Sequence, residues 1–203
     1  MLNHEKEDSE EIKVILVGNV GVGKTNLINT ITGKEFTDKV DSTISPTYSI
    51  KRFEIEGIKF TLNLWDTAGQ ERYLNVTKLF FKGSGFVIFV YDITNYKSYE
   101  SLRKWYEISQ NIIETDHICA IVGNKSDLIL NKIVNEEEAE NYAKSINAKF
   151  KIVSAKEQSQ LFIDLLEEMI LEYKNKKYNI NNRRKSMKLN NNNKNNKNHS
   201  NCC

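Results

Sequence analysis

Eight residues, Gly18-Asn19-Val20-Gly21-Val22-Gly23-Lys24-Thr25, constrain this chain more than any other stretch. They fit the pattern G-x-x-x-x-G-K-[ST]. Before them, Ile12 to Val17 is a short apolar, β-branched run that reads as a buried strand. After them, Asn26 to Thr32 has helical spacing and stops at Gly33. A strand, a glycine-rich turn and a helix in that order aim backbone N–H groups and a helix dipole at one point, where an anion is favoured. The loop from Val20 through Gly21, Val22 and Gly23, with Asn26 in the opening turn of the helix, would therefore surround phosphate oxygens. Lys24 would reach the β- and γ-phosphates, and the Thr25 hydroxyl would ligate Mg²⁺.

Phosphate binding leaves ATP and GTP both open. Asn124-Lys125-Ser126-Asp127 follows the apolar strand Ile118 to Gly123 and decides between them. A carboxylate at Asp127 can accept both N1–H and the 2-amino group of guanine, and adenine offers neither donor in that geometry. The Asn124 amide can meet the other edge of the base, with the stem of Lys125 along the ring. Ser154-Ala155-Lys156, after the next strand, would present a backbone N–H to the guanine O6. An isolated N-K-x-D is weak; about 100 residues after the glycine-rich loop and followed by S-A-K, it is strong.

Trp65-Asp66-Thr67-Ala68-Gly69-Gln70-Glu71 supplies the remaining chemistry. Asp66 ends a strand and can hold Mg²⁺ through water. Gly69 lets its N–H approach a γ-phosphate. Gln70, neutral with donor and acceptor groups, suits orienting a water for in-line attack.

The rest of the chain fits one domain with tails. Ser49–Glu56 and Ile58–Trp65 read as an antiparallel hairpin around Gly57. Strands at 86–91, 118–123 and 150–153 alternate with helices near 99–113, 136–146 and 160–173. Alternation of this kind implies a mostly parallel sheet covered on both faces, with ligands at the carboxyl ends of its strands. Residues 1–10 are a polar extension, 11–173 the domain, and 174–203 an Asn- and Lys-rich segment expected to be disordered. No apolar run is long enough to span a bilayer, and no apolar stretch near Met1 suggests a secretory signal. Three cysteines give no disulfide framework, which points to a reducing compartment.

Charge is divided unevenly. From Lys174 onward there are nine Lys or Arg residues and no Asp or Glu. The remaining 20 basic residues stand against all 27 acidic ones, so residues 1–173 carry a net −7. A nucleic-acid binder would show its positive charge on the folded body. A basic tail on an acidic body suits an anionic membrane surface instead.

Taken together, these residues resemble the Ras superfamily of small GTPases, a P-loop NTPase group, and within it the Rab branch. W-D-T-A-G-Q-E is the form usual in Rabs; Phe80-Phe81-Lys82-Gly83-Ser84 is similar to Y-Y-R-G-A, and Val90-Tyr91-Asp92-Ile93-Thr94 to V-Y-D-[IV]-T. The resemblance spans roughly residues 11–173 and implies an α/β fold, a six-stranded mostly parallel sheet with five helices. It implies a monomer that binds GTP or GDP with Mg²⁺ and cycles between them. Thr43 would then ligate Mg²⁺ and sense the γ-phosphate, and Phe36 would pack on the guanine edge. Tyr48, Trp65 and Phe80 would form an aromatic patch that partners read, or else ordinary core. Cys202 and Cys203 resemble a double geranylgeranylation site. The implied partners are an exchange factor, a GTPase-activating protein, a dissociation inhibitor or escort protein, effectors in vesicle transport, and a membrane. The implied location is the cytoplasmic face of an intracellular membrane, with a cytosolic pool.

Three positions depart from that pattern. Val20 stands where Rabs commonly carry a small residue, and a branched side chain there crowds the space of Gln70, its water and an arginine finger. Ile44-Ser45-Pro46-Thr47-Tyr48 replaces the Rab-like I-G-x-D-F and puts the chain's only proline in switch I. Val40 replaces a tyrosine that folds over the phosphates. Two readings follow: a working GTPase, favoured by Gln70 and Thr43, or a GTP-locked scaffold, favoured by Val20. A third, an ATP-using enzyme, is disfavoured by Asp127 and the lack of a second substrate domain.

Overall fold

A computed structural model describes residues 9–38, 43, 47–67, 79–113 and 115–197, with backbone alone beyond residue 178. The expectations placed on Ala68-Gly69-Gln70-Glu71, Val40, Ile44-Ser45-Pro46 and Cys202-Cys203 lie outside the described residues.

Six strands form one sheet in the order β2-β3-β1-β4-β5-β6. They are β1 (Glu10–Val17), β2 (Thr47–Ile55), β3 (Ile58–Asp66), β4 (Phe86–Asp92), β5 (Ile118–Asn124) and β6 (Lys149–Ile152). Only β2 and β3 pair antiparallel; every other neighbouring pair is parallel. Ile55 faces Ile58 across a two-residue turn in which Glu56 and Gly57 have φ of 51° and 74°. Two successive positive φ values twist the chain as a hairpin requires, and the glycine takes its share without a Cβ clash.

Burial follows position in the sheet. All seven residues of β4 and all seven of β5 are buried, whereas the edge strand β2 buries only Phe53. Central parallel strands are covered on both faces and so read as unbroken apolar runs. On one face Ile15, Val17, Val87, Phe89, Tyr91 and Ile121 pack with Leu102, Trp105, Ala139 and Ala143. Those last four come from α3 (Leu102–Ile112) and α4 (Glu136–Ser145). The alternate residues Val14, Leu16, Ile88, Val90 and Val122 are equally buried and, by the two-residue period, point the other way.

The remaining helices are α1 (Lys24–Ile31), the short α2 (Tyr96–Glu100) and α5 (Ser159–Lys197). The sequence reading merges α2 and α3 into one helix; a break at Ser101 separates them, with the Asn95 side chain capping α2 by accepting from Ser98 N–H. A 3₁₀ segment, Ser126–Asn131, is an element the sequence reading lacks, because it has no apolar periodicity of its own.

Two compact units result, residues 1–169 and 170–203. In the first, Phe162, Leu165, Leu166 and Met169 of α5 are buried at helical spacing. In the second, the structure differs from the sequence expectation: the backbone stays helical to Lys197 rather than losing regular structure after Tyr173. The physical reason is local. No glycine or proline interrupts residues 159–197, and Glu172 pairs with Lys176 one turn on at 2.9 Å.

Candidate nucleotide site

Register brings the motifs together. Leu16 of β1 lies beside Asp66 of β3, and Asp92 of β4 beside Asn124 of β5, so the loops leaving all four strands open at one end of the sheet. Between them lies a cleft of about 330 Å³ lined by Gly21, Gly23, Lys24, Thr25 and Thr43 on one side and by Asn124, Lys125, Asp127, Ala155 and Lys156 on the other. Val20, Asn26, Phe36, Asp38 and Leu128 complete it. Asp38 and Leu128 escape sequence reading; Leu128 is legible only as the residue after Asp127.

Lys24 is buried, and its ammonium donates to the carbonyls of Gly18 and Asn19, each at 2.9 Å. Burial pulls its pKa down to about 8, with Asp66 opposing the shift. A desolvated cation aimed into a cleft has most to gain from a phosphate anion. Three residues taken as metal ligands converge beside it. Thr25 Oγ1 donates to Asp66 Oδ2 at 2.6 Å, Thr43 Oγ1 reaches the same oxygen at 3.5 Å, and the two hydroxyls lie 3.2 Å apart.

Asp66 Oδ1 is buried and has no hydrogen-bond partner among the described residues. Burial raises the Asp66 pKa, against the Thr25 bond, the Lys24 charge and the Thr43 bond that lower it. An orphaned carboxylate oxygen next to two hydroxyls is the hard oxygen donor set that Mg²⁺ takes, with phosphate and water filling the remaining positions. The residues present therefore fit the ion.

Asn124 holds the cleft's two ends together. It is 2% exposed, its Nδ2 donates to Val22 C=O at 2.9 Å, and its Oδ1 accepts from Ala155 N–H at 3.1 Å. The approach is close enough that a Cβ on Gly23, where φ is 96°, would lie 2.2 Å from Asn124 Nδ2. The sequence reading sends Asn124 to the base edge and a backbone N–H of Ser154-Ala155-Lys156 to O6. In the structure both groups of the Asn124 amide are engaged with protein, and Ala155 N–H goes to Asn124. Ser154 is buried behind the cleft, where its hydroxyl donates to Asp127 Oδ1 at 2.5 Å and accepts from Lys156 and Glu157 N–H.

Lys125 adopts φ 70° and carries its ammonium 2.6 Å from Asp92 Oδ2. Phe36 lies at the cleft's edge with the Lys156 ammonium 5.8 Å from its ring centre. Asn26 fastens the segment that carries Phe36, donating from Nδ2 to Thr37 C=O at 2.9 Å. Val20 lines the cleft with 47% of its surface exposed.

One more tie was absent from the sequence reading. Asn19 Nδ2 donates to Ser101 Oγ at 3.0 Å, and Trp105 Nε1 donates to Asn19 Oδ1 at 3.4 Å. Away from the cleft, Trp65 lies 5.4 Å from both Tyr48 and Phe80, ring centre to ring centre. Tyr48 is half exposed, Trp65 and Phe80 are partly buried, and Phe80 also packs against the core cluster.

The sequence matches known proteins over most of its length. The Ras family model matches residues 13–175. The chain is 33% identical to the GTP-binding protein ypt1 of Schizosaccharomyces pombe over 94% of its own length and 96% of that protein's. It is 38% identical to Ras-related protein RabC of Dictyostelium discoideum, covering 83% and 89%. It is 37% identical to human Ras-related protein Rab-21, covering 78% and 72%. On these matches, this chain belongs to the Ras family as a Rab-type small GTPase.

Proposed function

We propose that this chain is a membrane-anchored switch in vesicle-mediated transport that binds GTP or GDP with Mg²⁺, hydrolyses GTP to GDP and phosphate, and recruits effectors in its GTP state. The single observation that carries the reading is the Asn124 bridge. It joins the Val22 carbonyl of the phosphate loop to Ala155, so that Lys24 and Asp127 face one cleft.

No side chain acts as nucleophile. The loop N–H groups and Lys24 hold the β- and γ-phosphates, Asp127 reads the base, and Gln70 orients the attacking water. Thr25 and Thr43, with Asp66 behind them, would hold Mg²⁺, which supplies neutralisation of charge on the transferring phosphoryl group. An activating protein completes the catalysis. Effectors read the Tyr48–Trp65–Phe80 cluster, which is exposed enough to be touched. Lipids on Cys202 and Cys203 anchor the chain to the cytoplasmic face of a membrane, since one chain alone holds only marginally. Arg183, Arg184 and Lys185 add roughly 1 kcal/mol each near anionic lipid.

A second reading rests on Val20. Its half-exposed side chain lines the cleft, in the space an arginine finger would enter, and blocking such a finger forfeits roughly 10³–10⁵ in rate. Under that reading the protein is a scaffold held in its GTP state.

Competition settles the nucleotide. With Mg²⁺ present, GDP and GTP are expected to displace a fluorescent guanine nucleotide at stoichiometric concentration, and ATP to fail at a hundredfold excess. Equal displacement by ATP would revive an ATP-using enzyme.

A further inference from the structure

We propose that Asp92, at the end of β4, is a positioning residue for nucleotide binding: it holds the Lys125 side chain along the base end of the cleft. The inference rests on the guanine-nucleotide reading above. Lys125 is a long side chain with four rotatable bonds at the edge of an open cleft, and the partner of its ammonium lies on the neighbouring strand. Its ammonium sits 2.6 Å from Asp92 Oδ2, with the Lys125 side chain 32% exposed and that of Asp92 10% exposed.

Asp92 is itself immobilised. Its Oδ1 accepts from Thr94 N–H at 2.8 Å and from Thr94 Oγ1 at 2.7 Å, which leaves Oδ2 for Lys125. Its own N–H is held against Ser98 Oγ at 3.0 Å. The sheet register places Asp92 opposite Asn124, the residue before Lys125, and Ile93 N–H donates to Asn124 C=O at 3.1 Å. The carboxylate is therefore delivered by one strand to the loop of the next, independently of any ligand.

The consequence is pre-organisation. With its ammonium pinned, the lysine's methylene stem covers apolar surface while the charge stays partly wet. A stem fixed before the ligand arrives loses less freedom when a purine ring lies against it. Contact with a ring face does not depend on which groups decorate the ring edge. Asp92 should thus strengthen purine binding without setting guanine specificity, which falls to Asp127.

The test is nucleotide dissociation from the full chain, measured for GDP and for IDP, which lacks the 2-amino group. Asp92→Asn keeps the acceptor for Thr94 and loses the charge. It is expected to speed release of GDP and IDP by the same factor, roughly 3- to 10-fold for a partly buried ion pair. Asp127→Asn is expected to speed GDP release more than IDP release. In a Lys125→Met background, Asp92→Asn should have no further effect. If Asp92→Asn fails to fold, Thr94→Val carries the same expectation at roughly 2-fold, since it loosens Asp92 without removing it. An undiminished effect of Asp92→Asn in Lys125→Met would overturn the proposal, as would a lowered melting temperature with unchanged release. Failure of the native chain to bind GDP at all would sink the guanine reading itself, a different result from native-like release in the variant.

Discussion

Gly23 and Asn124 meet so closely that each fixes the other. The glycine leaves room for the amide, and the amide satisfies Val22 C=O and Ala155 N–H, both removed from water. Leaving two buried backbone groups without partners costs about 1–3 kcal/mol each. Asn124→Ala is therefore expected to destabilise the protein by about 2–6 kcal/mol and to weaken nucleotide binding together with it. Denaturant unfolding of the GDP-loaded chain measures this; a change under about 0.5 kcal/mol would mean the bridge contributes little to stability. Lys24, Thr25, Asp66 and Asp127 were legible from spacing alone, because each sits at a fixed offset within its own motif. Asp92 and Asn19 were not. Their partners lie 33 and 82 residues away in the chain, and only the strand register and helix packing bring them together.

At the scale of elements, the β-strands were legible because their apolar runs and the turn at Gly57 leave little freedom in placing them. The helices were legible as existing but not in their ends. α1 begins at Lys24, two residues earlier than its apolar spacing suggests, since the loop's last glycine already turns the chain into it. The break between α2 and α3 was invisible because Ser101 is an ordinary helical residue whose backbone stays in the helical region. That junction also reaches the phosphate loop through Asn19, which bonds Ser101 and Trp105 while its carbonyl accepts from Lys24. Asn19→Ala removes both side-chain bonds and should release the loop from α3. Faster amide exchange at residues 19–23 is expected, by roughly 5- to 10-fold for about 1 kcal/mol of lost tethering, with α4 unaffected. Uniform acceleration across the sheet would show instead that Asn19 supports the whole fold.

The whole molecule divides its labour by charge and by chemistry. Residues 1–173 carry the cleft and a net −7, and the segment beyond carries nine basic residues and two terminal cysteines. The sequence expectation of disorder there rested on the want of apolar residues to build a core. A helix needs no core for its hydrogen bonds, so composition could not exclude one. The proposed switch turns over through Gln70, with room left for it beside Val20. Single-turnover conversion of preloaded GTP, with bound nucleotide separated over time, decides it for the native chain beside Val20→Ser and Gln70→Leu. The switch account expects GDP to accumulate on the native chain and Gln70→Leu to slow it at least tenfold. A native chain that stays GTP-bound while Val20→Ser restores turnover would contradict it, and the protein would then be a GTP-held scaffold on a GTPase fold.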